Sequence, residues 1–366
     1  MATLRADHVG SFLRPPELLD ARRSYAQGLL SNEQLAEIED ASILKILEVQ
    51  RDAGLEVFSD GEYRRGIYSG ALTEALEGLV PSGDSQFTNL ASAWHGPDTN
   101  LVVEALEEVR PQHLVAGSQL AQKRRIAGQE AAFLKQHAPG PWKMTLTPPQ
   151  GGQFWKPGVS DQYYASVQEL QDELTQMYRG EIGALIADGA SYIQLDSLGY
   201  VISFGNPGNR EQVIRASVAS DNALIDGLKQ DGITFGLHMC RGNNRGHWLA
   251  AGGYDEAAET AFSGLHVDRF LLEYDTERAG GFEPLRFVPK DKVVALGLIS
   301  TKVPELESQD DLLRRIDEAS KFVPIENLAL TPQCGFASIF QGNPLSWDDQ
   351  RRKLDLLVST AKKVWG

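Results

Sequence analysis

Short apolar runs alternate with longer amphipathic stretches along most of the 366-residue chain. The short runs are rich in β-branched and aromatic residues, which predicts strands, whereas the longer stretches repeat apolar residues at helical spacing. Strands are predicted at residues 4–9, 57–59, 142–146, 192–195, 233–237, 270–273, 293–299 and 328–330. Helices are predicted at residues 31–54, 120–137, 161–189, 209–230, 255–264, 308–322 and 346–364.

Eight predicted strands with helices between them favour parallel pairing, because parallel neighbours need a long crossover connection. Strand number and chain length predict an α/β fold, a closed (β/α)8 TIM barrel that forms one domain over residues 1–366. Residues 81–112 are the least regular part, and we expect an insertion after strand 2. A doubly wound open sheet is the alternative, but residues 8–12, after the first strand, lack its glycine-rich nucleotide-binding turn.

Composition limits the class of partner. The chain has 35 basic and 50 acidic residues and a formal charge of −15, so nucleic acids and anionic membranes would be repelled. The N-terminal residues lack the apolar core of a signal peptide, and the apolar run at 293–299 is too short to cross a bilayer. We therefore expect a soluble, cytoplasmic protein that binds small molecules.

The two cysteines, Cys240 and Cys334, both follow predicted strands, where a barrel of this type gathers its active site. His238 lies two residues before Cys240, so in an extended segment both side chains point the same way. Together with a carboxylate from another strand end, Glu273, they can make a tetrahedral zinc site, which the sequence predicts. Two thiolates and a carboxylate over-neutralise Zn²⁺, which suits a thiol ligand better than activation of water. Two buried free cysteines are the alternative.

Three elements of the sequence resemble, in order and similar spacing, the zinc-binding elements of the cobalamin-independent methionine synthase family. They are His-Met-Cys at 238–240, Phe-Leu-Leu-Glu at 270–273 and Thr-Pro-Gln-Cys-Gly at 331–335. Residues 8–12 are similar to the family's substrate-contacting Ile-Gly-Ser-Phe element, and residues 60–62 and 193–196 are similar to its His-Gly-Glu and Ile-Gln-Ile-Asp-Glu elements. The resemblance covers most of the chain and is to the catalytic C-terminal barrel of the long enzymes.

The resemblance implies an enzyme of methionine biosynthesis, a zinc-dependent methyltransferase that moves a methyl group from 5-methyltetrahydrofolate to the thiol of homocysteine. Glu62 and Asp196 would hold the amino group of homocysteine at the catalytic centre, and Ser11 would contact the same substrate. The implied zinc ligands are His238, Cys240, Glu273 and Cys334.

The chain departs from the family pattern on the side of the methyl donor. Residues 299–302, Ile-Ser-Thr-Lys, lack the histidine that the family carries after strand seven, and residues 197–199 replace its Glu-Pro-Ala. The loop after Cys240 is unusually basic, and we expect Arg241 to bind an acidic group of the substrate. His247 and Lys302 are the remaining ionisable candidates near the donor, although an unperturbed lysine is a weak acid at pH 7.

Two other functions stay open from the sequence. The first is a zinc alkyltransferase that uses a different thiol or donor, such as an epoxide with coenzyme M or a methyl-corrinoid. The second is a metal-free barrel, either a decarboxylase or a binding protein, in which the cysteines are structural. In each case the partners are small molecules, and assembly into a homo-oligomer is left open.

Overall fold

The computed structural model describes residues 4–83, 93–109, 113–197, 199–200 and 208–366. Two strands form an antiparallel pair, and the other six form a parallel sheet in which each strand pairs with the next along the chain. The strands are β1 (Leu76–Pro81), β2 (Leu114–Gln122), β3 (Lys143–Leu146), β4 (Tyr192–Ser197), β5 (Thr234–Met239), β6 (Arg269–Glu273), β7 (Val293–Ile299) and β8 (Leu328–Pro332). The described helices are α1 (Pro16–Ala26), α2 (Asn32–Ala53), α3 (Gly70–Ala75), α4 (Asn100–Val109), α5 (Gly128–His137), α6 (Val167–Asp188), α7 (Arg210–Ile225), α8 (Ala258–Gly264), α9 (Gln309–Ser320) and α10 (Trp347–Trp365).

Two further parallel segments close the six-stranded sheet into a barrel. Ala6 bridges to Leu330 of β8, and Phe58 bridges to Trp142, next to the start of β3. Side chains join the two closing segments to each other: His8 Nε2 lies 3.0 Å from the Val57 carbonyl oxygen. The eight parallel segments confirm the predicted (β/α)8 barrel, and their C-terminal ends meet at one rim.

Burial on both faces explains why the barrel strands read as continuous apolar runs. Every residue of β3, β4, β6 and β8 is buried. The surrounding helices bury one face each, and their ends follow from local chemistry. The predicted helix at 31–54 is observed as α2, which begins after a capping box at Ser31 and ends at Gly54 in the left-handed conformation.

A buried ion cluster lies inside the barrel near the N-terminal ends of its strands. The carboxylate of Asp7 accepts hydrogen bonds from Lys143 Nζ (2.8 Å), Arg269 Nη1 (3.1 Å) and the Tyr192 hydroxyl (3.2 Å). Burial raises the pKa of Asp7, but the two cations outweigh this and lower it to about 2. The cluster therefore holds a carboxylate and two cations in an apolar interior, and it joins four barrel segments.

The insertion after the second barrel segment contains α3, β1, α4, β2 and α5, as the prediction of an insertion there requires. The prediction of one helix over residues 120–137 is wrong in its first part. Residues 114–122 form β2 and pair with β1, and α5 begins only at Gly128. The hydrogen bonds to β1 outweigh a helical spacing that extends over only a few residues.

Part of the insertion is fastened to the loop after β5. His95 and Trp248 exchange backbone hydrogen bonds of 2.8 Å and 3.0 Å, and the Asp98 amide donates to His247 Nε2 (3.2 Å). Gly96 permits this approach, because a Cβ atom there would lie 2.2 Å from the ring of His247. The insertion therefore fixes the loop that follows His238 and Cys240.

None of the helices in the described ranges combines the length and the apolar character needed to span a membrane.

Replacing Asp7 by asparagine tests the ion cluster. The substitution leaves Lys143 and Arg269 buried without their counter-charge, so we expect a loss of about 3–5 kcal/mol in the free energy of unfolding, measured by urea denaturation. The control is Glu17→Gln, which removes a solvent-exposed ion pair with Lys45 and should change little. An Asp7→Asn protein as stable as the parent would contradict this account.

Candidate metal centre

Three ligand-type side chains converge at the C-terminal rim of the barrel. His238 Nε2 lies 3.4 Å from Cys334 Sγ, and Cys240 Sγ lies 3.6 Å from the same sulfur. One ligand atom from each residue lies within 4.8 Å of the others, and among the described residues only these three form such a group. The structure thus brings together residues that are separated by about a hundred positions in the chain.

The end of β5 and its neighbour explain the orientation of these side chains. His238 and Cys240 are two residues apart, and an extended backbone directs both toward the barrel axis. The Nδ1–H group of His238 donates to the carbonyl oxygen of Leu271 in β6 (3.1 Å), which leaves Nε2 facing the sulfurs. A carbonyl partner of this kind fixes the tautomer of a metal-binding histidine.

The three side chains interact through their protons, which a metal ion displaces when it binds. The hydrogen bond with Cys240 lowers the pKa of Cys334 well below its usual range and raises that of Cys240. Burial lowers the pKa of His238, but the neighbouring Cys334 sulfur raises it to about 9. In their deprotonated forms, the two cysteine sulfurs and the imidazole nitrogen are the donor set that zinc favours, so the residues present fit this ion.

Glu273, the predicted fourth ligand, is adjacent to this group but is not part of it in the structure. Its Oε1 atom accepts from Arg278 Nη2 at 2.5 Å, and its Oε2 atom accepts from the backbone amide of Arg241 at 2.9 Å. Burial alone would raise the pKa of Glu273, but the surrounding cations Lys302, Arg278 and Arg241 lower it, so the carboxylate is ionised. Its role as a metal ligand stays a prediction.

Arg241, predicted to bind substrate, is fully buried. Its Nε and Nη atoms donate to the carbonyl oxygens of Gly252, Glu273 and Ala279 and to the Tyr254 hydroxyl. The guanidinium also lies 4.1 Å from the centre of the Tyr254 ring. These contacts hold the loop after β5, and a substrate contact by Arg241 stays a prediction without support here.

Two buried carboxylates lie beside the metal-type group. Asp196 of β4 is the register partner of His238 in β5, which sets their Cα atoms about 4.8 Å apart. Burial raises the pKa of Asp196 to about 6. Burial and the nearby charge of Asp196 likewise raise the pKa of Glu62 to about 7. The structure therefore brings both predicted acids to one site, where their charges repel each other.

Glu62 has one carboxylate oxygen available to a ligand. Oε1 accepts from the Thr145 hydroxyl (2.7 Å), whereas Oε2 is buried and has no hydrogen-bond partner within the described part of the chain. The backbone of Glu62 is in the left-handed region with φ 60°, a conformation that costs energy in a non-glycine residue. Asp60 Oδ1 and Arg14 Nη2 hold it there through bonds to its amide (3.0 Å) and carbonyl (2.6 Å).

Ser11 lies in the wall between the acids and the cysteines. A Cβ atom on Gly335 would lie 1.9 Å from the Ser11 hydroxyl, so the residue after Cys334 must be glycine for Ser11 to occupy this position. The carbonyl of Ser11 accepts from the Phe336 amide at 2.9 Å. Ser11 is thus close to the metal-type group, as its predicted substrate contact requires.

The two candidates for a proton donor both bond to protein groups. His247 has one ring nitrogen on the Arg245 carbonyl oxygen (2.9 Å) and the other on the Asp98 amide. Lys302 donates to the Gly242 carbonyl oxygen (3.0 Å) and to Asn243 Oδ1 (3.1 Å). Lys302 therefore supplies a fixed positive charge beside the sulfurs and Glu273, where the family's histidine was expected.

Several residues that shape the site were not among the residues predicted from the sequence. Gln194 Nε2 donates to Asp196 Oδ1 (2.8 Å), and Lys143 donates to Gln194 Oε1, which orients the amide. Arg65 contacts the Thr145 hydroxyl (3.0 Å) next to Glu62. The motif at residues 193–196 does contain Gln194, so its alternation with Asp196 along one strand was the one available clue.

A Glu62→Gln substitution tests the burial of this acid. Because the pKa of Glu62 in the folded protein (about 7) exceeds its ordinary value of 4.5, folding takes up a proton, and this contribution to stability declines as pH rises from about 4.5 to about 7. The variant should therefore gain melting temperature relative to the parent at pH 8 but not at pH 4.5. The exposed Glu48→Gln serves as control. An identical difference at both pH values would refute the assignment.

Comparison with known proteins agrees with the geometry over the whole chain. Residues 4–363 match the family model for the cobalamin-independent synthase, catalytic domain. The uncharacterised protein YxjG of Bacillus subtilis is 36% identical, covering 99% of this chain and 94% of its own length, and a methionine synthase of Thermococcus kodakarensis is 24% identical, covering 97% and 91%. A solved structure from Listeria monocytogenes, assigned as a vitamin B12-independent methionine synthase, has a TM-score of 0.74 at 27% identity, covering 99% of this chain and 98% of its own. The chain belongs to the catalytic-domain family of the cobalamin-independent methionine synthases.

Proposed function

We propose that this protein is a zinc-dependent methyltransferase that methylates the sulfur of homocysteine and forms methionine. The observation that carries the proposal is the placement of two buried acids, Glu62 and Asp196, beside a His–Cys–Cys group. A thiol substrate with an ammonium group a few bonds from its sulfur would fit both at once. The chain as a whole, residues 1–366, would act as one catalytic barrel in the cytoplasm.

The proposed role of zinc is to activate the substrate thiol. His238, Cys240 and Cys334 would hold the ion, with Glu273 as the predicted fourth ligand. When bound, zinc lowers the pKa of a thiol so that it reacts as a thiolate at neutral pH. His238 and Cys334 are buried and Cys240 is half-buried, which limits the access of water to the position that the thiol would take.

The amino-acid end of the substrate would be held by the acids. A substrate ammonium near Glu62 Oε2 and Asp196 would neutralise two carboxylates whose raised pKa values reflect burial and mutual repulsion. Each acid already has a neutral donor, Thr145 or Gln194, that fixes its rotamer. Ser11 would approach the substrate from the adjacent wall. Holding the ammonium in this way aims the sulfur at the donor, which supplies rate through positioning.

The methyl donor must be one whose leaving group suits the acids available at the site. Transfer forms a sulfur–carbon bond and breaks the donor's carbon–nitrogen bond, and a tertiary amine leaves poorly unless an acid protonates it. His247 already has both ring nitrogens bonded to protein groups, and the loop after β7 offers Lys302 in place of a histidine. This observation favours the second candidate function, alkyl transfer to a thiol from a donor other than a simple methyl-folate.

Replacing Cys334 by serine tests the metal assignment. The thiolate of Cys334 contacts both other ligands, so its loss should reduce bound zinc from about one per chain to a small fraction and abolish methyl transfer. Zinc is measured by elemental analysis of protein purified without chelator. Ser338→Ala, which removes a hydroxyl 3.9 Å from the Cys334 sulfur, should keep its zinc. Stoichiometric zinc and full activity in Cys334→Ser would exclude this site.

A donor screen distinguishes the two candidate functions. We expect slow methionine formation with 5-methyltetrahydrofolate and faster transfer from activated donors, such as a methyl-corrinoid, a sulfonium or an epoxide, because their leaving groups need less protonation. Product formation from homocysteine is measured at equal enzyme and zinc for each donor. Fast turnover with the folate donor would contradict this expectation and identify an ordinary methionine synthase with another proton donor.

A further inference from the structure

We infer, on the basis of the proposed function, that Arg278 is a positioning residue that holds the Glu273 carboxylate apart from His238, Cys240 and Cys334. In this arrangement one side of the metal-binding group is left to the substrate thiol. Arg278 would thereby set the balance between two competing ligands, a carboxylate of the protein and the sulfur of the substrate.

The contacts of Glu273 show how the carboxylate is held. Arg278 Nη2 lies 2.5 Å from Oε1, the Arg241 amide lies 2.9 Å from Oε2, and Gln333 Nε2 lies 3.5 Å from Oε1. Glu273 itself is fully buried. An ionised carboxylate in such a place needs both a counter-charge and hydrogen bonds, and Arg278 supplies the shortest contact of the three. The bonds to Arg278 and Arg241 together satisfy both oxygens without help from a metal.

Glu273 is nevertheless close enough to compete for the metal-binding group. Gln333, whose Nε2 atom lies 3.5 Å from Glu273 Oε1, directly precedes Cys334 in the chain. The Arg241 amide that bonds Glu273 directly follows Cys240 in the chain. If the Glu273 side chain alone rotated, its carboxylate would leave the guanidinium of Arg278 and face the metal-binding group.

Arg278 is itself anchored, so it can hold a partner in place. Its guanidinium lies 5.2 Å from the centre of the Trp248 ring, and its Nη1 atom donates to the Ala250 carbonyl oxygen (3.3 Å). Its own carbonyl oxygen accepts from the Gly252 amide (2.9 Å). The side chain is only 11% exposed. A guanidinium fixed by ring stacking and by backbone contacts offers a carboxylate a pre-organised site.

The consequence of removing Arg278 has a distinctive sign. Loss of an ordinary supporting residue lowers metal affinity, typically about 10–100-fold. Without Arg278, however, the buried Glu273 carboxylate loses the cation that bonds its Oε1 atom and keeps only the charges of Lys302 and Arg241, whose charged groups do not bond it, so a metal ion becomes its best remaining partner. Metal should then bind more tightly in the absence of thiol, and homocysteine should bind more weakly because it must displace Glu273.

The experiment compares the parent protein with Arg278→Met, with Glu273→Gln and with the double variant. Zn²⁺ affinity is measured by competition with a chromophoric chelator, and homocysteine binding is followed by the visible spectrum of the Co²⁺-substituted proteins. Arg278→Met should raise metal affinity on the order of tenfold and raise the homocysteine concentration for half-saturation by a similar factor. Both effects should disappear in the double variant. Arg286→Met, which removes an exposed arginine of the same region, is the matched control.

The outcomes separate the inference from the proposed function. Unchanged or lowered metal affinity in a folded Arg278→Met protein overturns the role of Arg278, whereas absence of metal binding by the parent protein overturns the proposed function. If Arg278→Met does not fold, Arg278→Lys replaces it. A lysine keeps the charge but cannot bond Glu273 and the Ala250 carbonyl oxygen through two nitrogens of one fixed plane, so it should shift both quantities in the same directions by a smaller factor. No shift in Arg278→Lys would then overturn the inference.

Discussion

The carboxylate of Asp7 is the interaction on which the barrel depends most. The first barrel segment is joined to β8 by a single bridge, at Ala6, and has few backbone bonds of its own. Asp7 compensates by bonding Lys143, Arg269 and Tyr192, which belong to three other strands. Residues 10–14 follow soon after Asp7 in the chain. The position of this one side chain therefore also sets where Ser11 lies and where Arg14, which bonds the Glu62 carbonyl oxygen, lies.

The same cluster extends toward the rim through a chain of oriented groups. Lys143 can only donate hydrogen bonds, so the amide of Gln194 must present its oxygen to Lys143 and its nitrogen to Asp196. A charge in the core thus determines the hydrogen-bond partner of an acid in the site. The site, in contrast, contains Glu62 Oε2, a buried oxygen that no group in the described ranges of the chain bonds. Stability is concentrated at one end of the barrel, and the need for a ligand is concentrated at the other.

The parts of this molecule that could be predicted are those encoded locally. β7 coincides with the apolar run at 293–299, and the pair His238–Cys240 could be recognised because strand alternation fixes its direction. Long side chains that bond across the fold could not be predicted, since the sequence contains no mark of their partners. Arg14 contacts the carbonyl oxygen of residue 339, which is 325 positions away. The sequence also does not indicate that Arg241 bonds the loop that contains it, and its substrate contact stays a prediction.

The backbone pair between His95 and Trp248 joins the insertion to the loop after β5, so the insertion is part of the structure that supports the site. Trp248 stacks on the guanidinium of Arg278, which holds Glu273. The loop that contains Trp248 begins at the end of β5, where His238 and Cys240 lie. The pair therefore ties the two loops together, so a change in the length of one loop moves its half of the pair. During evolution, the insertion and the loop after β5 must change together. A variant that alters donor preference through a change in one loop must keep the backbone pair with the other loop.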